Sequence, residues 1–344
     1  MLKRSAEFIT LFMFISLSAC SDHKQTISFS EFEKSSKILN WTTQAQLDDV
    51  HQAALMMPFD DMYLKSRHEL LYSVETESLT STELATLDYL KIQERYPERF
   101  LVWPAHVNVL ARAHGVVPDK LVDSWLKLVT KRLQEGQASK IALNRLEREQ
   151  LLSFLSTTDY VSEEKAALTR FLKAYKVRSN IGLHQLPNGA EWYQSKLNFY
   201  LGEVIEPNEL LTLLRNKTET MPAQVVNVTE VSTDITRPVI LGLVANYCKE
   251  RAGYNWRDGY VDIRRTLAQC DQEIPVFVLQ SLALIAQVDI GIHLFGWSQQ
   301  QAMHKLQSRL ALNEVQAYAM LKNIVFHPAT SAAIIGHIKA LDAL

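Results

Sequence analysis

The chain has 344 residues, with 36 Lys and Arg against 38 Asp and Glu and a formal charge of −2. That balance argues against nucleic acid as a partner, because phosphate binding draws on clustered positive charge. Only 11 Gly and 10 Pro occur, too few turn-formers for a β-sandwich or propeller, so a mostly α, multi-helix domain is expected.

The N-terminus reads as an address. Lys3 and Arg4 precede an apolar run from Phe8 to about Leu17, too short to span a bilayer, with small residues after it. Leu17-Ser18-Ala19-Cys20 resembles the lipobox of a bacterial lipoprotein. The resemblance implies a signal peptide over 1–19, a lipid on Cys20 and a membrane as partner. Each buried acyl methylene contributes about 0.8 kcal/mol, so several chains anchor a protein without a spanning helix. Ser21 stands where an Asp would signal inner-membrane retention, which places the expected location at the outer membrane, facing the periplasm. Residues 20–29 are polar and read as a tether, and 30–344 as the folded domain.

Thr80-Ser81-Thr82-Glu83 has the form of a capping box, and Leu84, Leu87, Leu90 and Ile92 continue it as a helix that stops near Pro97. A second helix is predicted from Pro118-Asp119 to about Gly136, a third from Ile141 to Phe154, and a fourth from Ser162 to about Val177. Asn188-Gly189 introduces a helix from Ala190 to about Leu201 with four aromatics, Trp192, Tyr193, Phe199 and Tyr200, and Pro207 opens another. Val225, Val226, Val228, Val231 and Ile235 are separated by polar and β-branched residues, which predicts one or two short strands around 224–235. Ser298-x-x-Gln301 and Asn313-x-x-Gln316 cap two helices, Gln299 to Leu310 and Glu314 to Phe326, that form an αα-hairpin, and Pro328 opens a final helix through Leu341.

Two stretches resemble one family. Gly182-Leu183-His184-Gln185-Leu186-Pro187-Asn188-Gly189-Ala190-Glu191-Trp192-Tyr193 and Asp289-Ile290-Gly291-Ile292-His293-Leu294-Phe295-Gly296-Trp297-Ser298 are similar to segments of the bacterial family called domain of unknown function 885, with weaker similarity around Asp88-Tyr89-Leu90. The resemblance implies a mostly helical zinc-metallopeptidase-like fold. A catalytic zinc needs about three protein ligands and a nearby Glu. The family's His-Glu-x-x-Pro-Gly-His type motif is not found, and the stretch between Leu201 and Asp289 holds no histidine. The resemblance therefore implies the fold while the chemistry does not carry over, and no metal or cofactor is expected.

Asp289 and His293 lie four apart on a predicted helix, on one face, where they are the weak catalytic candidates. Without the zinc motif the favoured role is a hydrogen-bonded pair bracing two helices. Tyr254 and Trp256, in a Gly- and Asn-punctuated loop, and Trp297 are candidates for contact with a peptide or protein partner. Cys248 and Cys270 either pair as a disulfide, which an oxidising periplasm permits, or are two buried thiols. The function expected is a membrane-anchored, non-catalytic binding or scaffolding protein. The alternative is a hydrolase with a site rebuilt around Asp289, His293 and carboxylates such as Glu250 or Asp258.

Overall fold

A computed structural model of the chain describes residues 26–40, 43–44, 54–55, 57, 60–94, 110, 113–219, 235, 237–251 and 262–341. It is mostly α-helical. Extended pairing among the described residues amounts to a two-residue antiparallel ladder, β1 (Thr43–Gln44) with β2 (Ala54–Leu55), and isolated bridges. The strands predicted around 224–235 lie outside the described residues, apart from Ile235, which sits in a turn.

Three N-terminal helices, α1 (Phe29–Asn40), α2 (Asp61–Ser73) and α3 (Ser81–Gln93), enclose a small core of Phe32, Leu71, Leu87 and Leu90. The expected tether ends earlier than Phe29. Ile27 already exchanges backbone hydrogen bonds with Ser73 and Glu75, and Ser28 and Glu31 cap each other at the start of α1. Thr80 and Glu83 form the reciprocal capping box expected of α3.

The main core begins with α4 (Asp119–Ala138), α5 (Arg145–Thr157) and α6 (Glu163–Ala174), with α6 packed on both others. Helix α5 starts four residues later than its apolar pattern suggested. Asn144 takes the cap, accepting from the Glu147 amide at 2.9 Å, while the Glu147 carboxylate accepts from the Asn144 amide at 2.7 Å. That exchange fixes the first turn and leaves Ile141 to Leu143 outside it. There follow α7 (Gly189–Leu201), α8 (Pro207–Glu219), α9 (Val239–Leu243) and α10 (Ile263–Ala268).

At the centre lies α11 (Val276–His293), on which α8, α12 (Gln299–Leu310) and α13 (Glu314–Phe326) all pack. Every residue of α11 from Ser281 to His293 is buried. It is the one helix among the described residues long and apolar enough to cross a membrane, and most of it is enclosed by protein. A helix surrounded on all sides has no polar stripe, which explains its apolar composition.

Helices α12 and α13 have the bounds and the capping boxes their sequences predicted. The final segment differs. Pro328 opens no regular helix: Ala329 adopts a left-handed φ of 67°, a 3₁₀ turn covers Thr330–Ile334, and α14 follows over Ile335–Leu341. The cause is tertiary, since Asp289 Oδ2 accepts the Ala329 amide at 2.7 Å and holds the chain in that turn. Cys248 and Cys270 are joined as a disulfide that ties the end of α10 to the turn after α9.

Candidate functional site

The fold brings the two singled-out segments together. The His184 amide donates to His293 O at 3.1 Å, so the loop before α7 caps the end of α11. The approach is close enough to require glycine: a β-carbon on Gly182 would lie 2.0 Å from Ile292 O. Gly291 plays the same part for Trp297, whose indole would lie 2.3 Å from a β-carbon there. Trp297 is half-buried and donates its amide to Gly291 O at 2.9 Å. Its ring therefore packs on α11.

Tyr193, on α7, reaches into the same region and stacks on His293, with ring centroids 5.2 Å apart and planes 17° apart. Asp289 and His293 are 2% and 0% exposed. Their expected mutual hydrogen bond is absent. His293 Nε2 lies 3.5 Å from Asp289 Oδ1 and 3.4 Å from Ile324 O, both at the limit of useful geometry. Each residue instead braces α11 through a neighbour's backbone: Asp289 holds the Ala329 amide, and His293 faces the carbonyl of Ile324 on α13.

Burial governs the protonation of this cluster. It pushes Asp289 well above the usual carboxylate range, against the pull of the Ala329 amide. It pushes His293 down to about 3. Tyr193 is raised well above 10 by burial and then by the neighbouring Asp289. A neutral carboxyl beside a neutral imidazole is what a dry site favours, since either charge alone would lose its hydration.

Several polar atoms here have no hydrogen-bond partner: the Tyr193 hydroxyl, Asp289 Oδ1, His293 Nδ1, His184 Nδ1 and both amide atoms of Gln287. Most buried polar groups in proteins are satisfied, so such a cluster is unusual. Among the described residues, no group of three or more His, Cys, Asp or Glu is placed to hold a metal ion.

Sequence reasoning missed two charged features near this cluster. Lys196 is 2% exposed on α7 and donates to the Tyr89 hydroxyl at 3.2 Å. Arg178 and Glu147 form a buried ion pair at 3.0 Å, and Arg178 also donates to Ala142 O at 2.7 Å. Lys196 falls one helical turn after Tyr193, a spacing that puts both on one face of α7. The aromatics Trp192, Tyr193 and Tyr200 are buried, as a core group should be. Glu250 is exposed and paired with Arg237. Cys20, Tyr254, Trp256 and Asp258 lie outside the described residues.

Two hollows open elsewhere and share Thr82, Arg264 and Arg265. One, of about 310 Å³, is lined by Glu33, Glu83 and Asp262 as well. The other, of about 510 Å³, adds His337, Gly336, Ala333 and Leu201. Neither is lined by Asp289 or His293.

No family model, curated protein or solved structure gives a match to this chain.

Proposed function

We propose that this is a lipid-anchored periplasmic protein of the outer membrane that binds or scaffolds a partner without cleaving it. In this reading Cys20 bears the lipid, and the helical domain is a relative of the domain-of-unknown-function 885 proteins that has lost their hydrolytic centre. The observation that carries the non-catalytic part is the sealing of Asp289 and His293, which are 2% and 0% exposed. A general base must come within hydrogen-bond reach of the proton it takes, directly or through one water. A histidine held down to about 3 by burial has no substrate proton to meet.

A second reading, a hydrolase rebuilt around the pair, has the cluster of unpartnered polar atoms in its favour. One set of measurements separates the two. Purified full-length protein is assayed for bound zinc and for cleavage of a mixed peptide library, together with His293→Ala. We expect no stoichiometric zinc, no cleavage, and a lower melting temperature for the variant. One zinc per chain, or cleavage abolished by His293→Ala at unchanged stability, would establish the enzyme instead. For the anchor, Cys20→Ala should move the protein from the membrane to the soluble periplasmic fraction.

A further inference from the structure

We propose that the groove between α3, α7, α10 and α14 is a binding site for a small organic anion with an apolar portion, its carboxylate or phosphate held by Arg264. The inference deepens the binding reading by naming a ligand class, and it rests on that reading.

The groove of about 510 Å³ is lined by Arg264, Arg265 and His337 and by no carboxylate, while Glu33, Glu83 and Asp262 line the adjoining hollow that shares both arginines. Arg265 is engaged by Glu33 at 3.1 Å, and His337 Nε2 lies 3.1 Å from Leu267 O. Arg264 differs from both, since among the described residues it has no ion pair or hydrogen bond. Its guanidinium carbon sits 5.1 Å from the centre of the Phe199 ring, and Phe199 in turn stacks on Tyr89 at 4.0 Å. A guanidinium lying on a ring keeps its edge donors available, and a planar fork matches a carboxylate or phosphate with two parallel hydrogen bonds.

The wall behind Arg264 is shaped for it. Gly202 has a φ of 74°, and a β-carbon there would lie 3.1 Å from Arg264 Nη2. Glycine thus serves both the end of α7 and the seat of the arginine. The same lining includes Leu201, Leu267 and Ala333. Gly336 contributes an open floor, since a β-carbon there would meet nothing within 4 Å. A lining that sets a guanidinium beside aliphatic side chains fits an amphiphilic anion.

The test is calorimetric titration of the full chain with octanoate, with octanol and acetate as the two halves of that chemistry. Arg264→Gln removes the fork, Arg264→Lys keeps only a charge, and Gly336→Leu adds bulk at the floor, starting from a β-carbon that meets nothing within 4 Å. We expect saturable 1:1 octanoate binding, tighter than for octanol or acetate. It should weaken about tenfold or more in Arg264→Gln, less in Arg264→Lys, and about tenfold in Gly336→Leu. Melting temperatures read alongside identify any variant that has lost its fold, in which case Gly336→Leu decides. Absence of saturable octanoate binding, equal binding of octanol or acetate, or unchanged affinity in a folded Gly336→Leu would overturn the proposal. None of these results touches the zinc and cleavage measurements, so failure here leaves the non-catalytic reading to be judged separately.

Discussion

Tyr193 and His293 stack with their rings 17° from parallel, joining α7 to the C-terminal end of the buried helix α11. The contact closes over Asp289 one turn earlier, and with the His184 amide on His293 O it makes two distant sequence segments a single packed unit. The cluster is a keystone of the fold, and its chemistry follows from its dryness.

That dryness predicts opposed pH dependences. His293 is pushed down from 6.5 to about 3. Its contribution is fully present above pH 6.5 and is lost as pH falls toward 3, because the unfolded chain takes up the proton first. Asp289 is pushed up from 3.8, so its contribution is present below pH 3.8 and is lost as pH rises through the higher folded value. Between pH 3.8 and 6.5 the two slopes oppose each other. Asp289→Asn should therefore lose stability relative to the parent as pH falls through that window, and His293→Gln should gain. Urea midpoints at a series of pH values read this directly, and parallel profiles for all three proteins would refute it.

Close backbone approach predicts intolerance at two glycines and tolerance at a third. Gly182→Ala would place a methyl 2.0 Å from Ile292 O, and Gly291→Ala would place one 2.3 Å from the Trp297 indole. Each should cost about 1–3 kcal/mol or more, the first the greater because its obstacle is backbone. Gly336→Ala meets nothing and replaces a helical glycine, so it should be neutral or stabilising by up to about 1 kcal/mol. Guanidinium unfolding of the three variants gives the ranking.

Breaking the Arg178–Glu147 pair should be costly. The two side chains are 9% and 4% exposed, and Glu147 also caps α5 by accepting the Asn144 amide. Glu147→Gln leaves a buried guanidinium without its counter-charge, for which a loss of about 3 kcal/mol is expected. Arg178→Met with Glu147→Leu should lose less than the two single changes combined, as a double-mutant cycle in urea would show.

The Cys248–Cys270 disulfide closes a loop with a sequence separation of 22. In the chain-entropy model a loop of that length contributes about 3 kcal/mol. Cys248→Ser with Cys270→Ser should lower the melting temperature by several degrees, and a reductant should do the same to the parent protein. Scanning calorimetry with and without reductant checks both.

Several local signals were legible in the sequence. The capping boxes at Thr80, Ser298 and Asn313 each mark a real helix start, because a cap depends on residues only three apart. The Ser28-x-x-Glu31 cap was equally local, and the reading of that stretch as a tether hid it. The spacing of Asp289 and His293 put both on one face of a helix, as they are.

Tertiary structure decided the rest. Whether that pair faces water or a dry core depends on α7, α13 and the turn at Ala329, none of them adjacent in sequence. Lys196, of a residue type usually exposed, is enclosed where Tyr89 meets it from α3. The groove at Arg264 likewise draws its walls from four helices. Composition and spacing fix which segments coil, since those forces act over a turn or two. Burial, and with it the protonation and reach of every polar group, is a property of what packs against what.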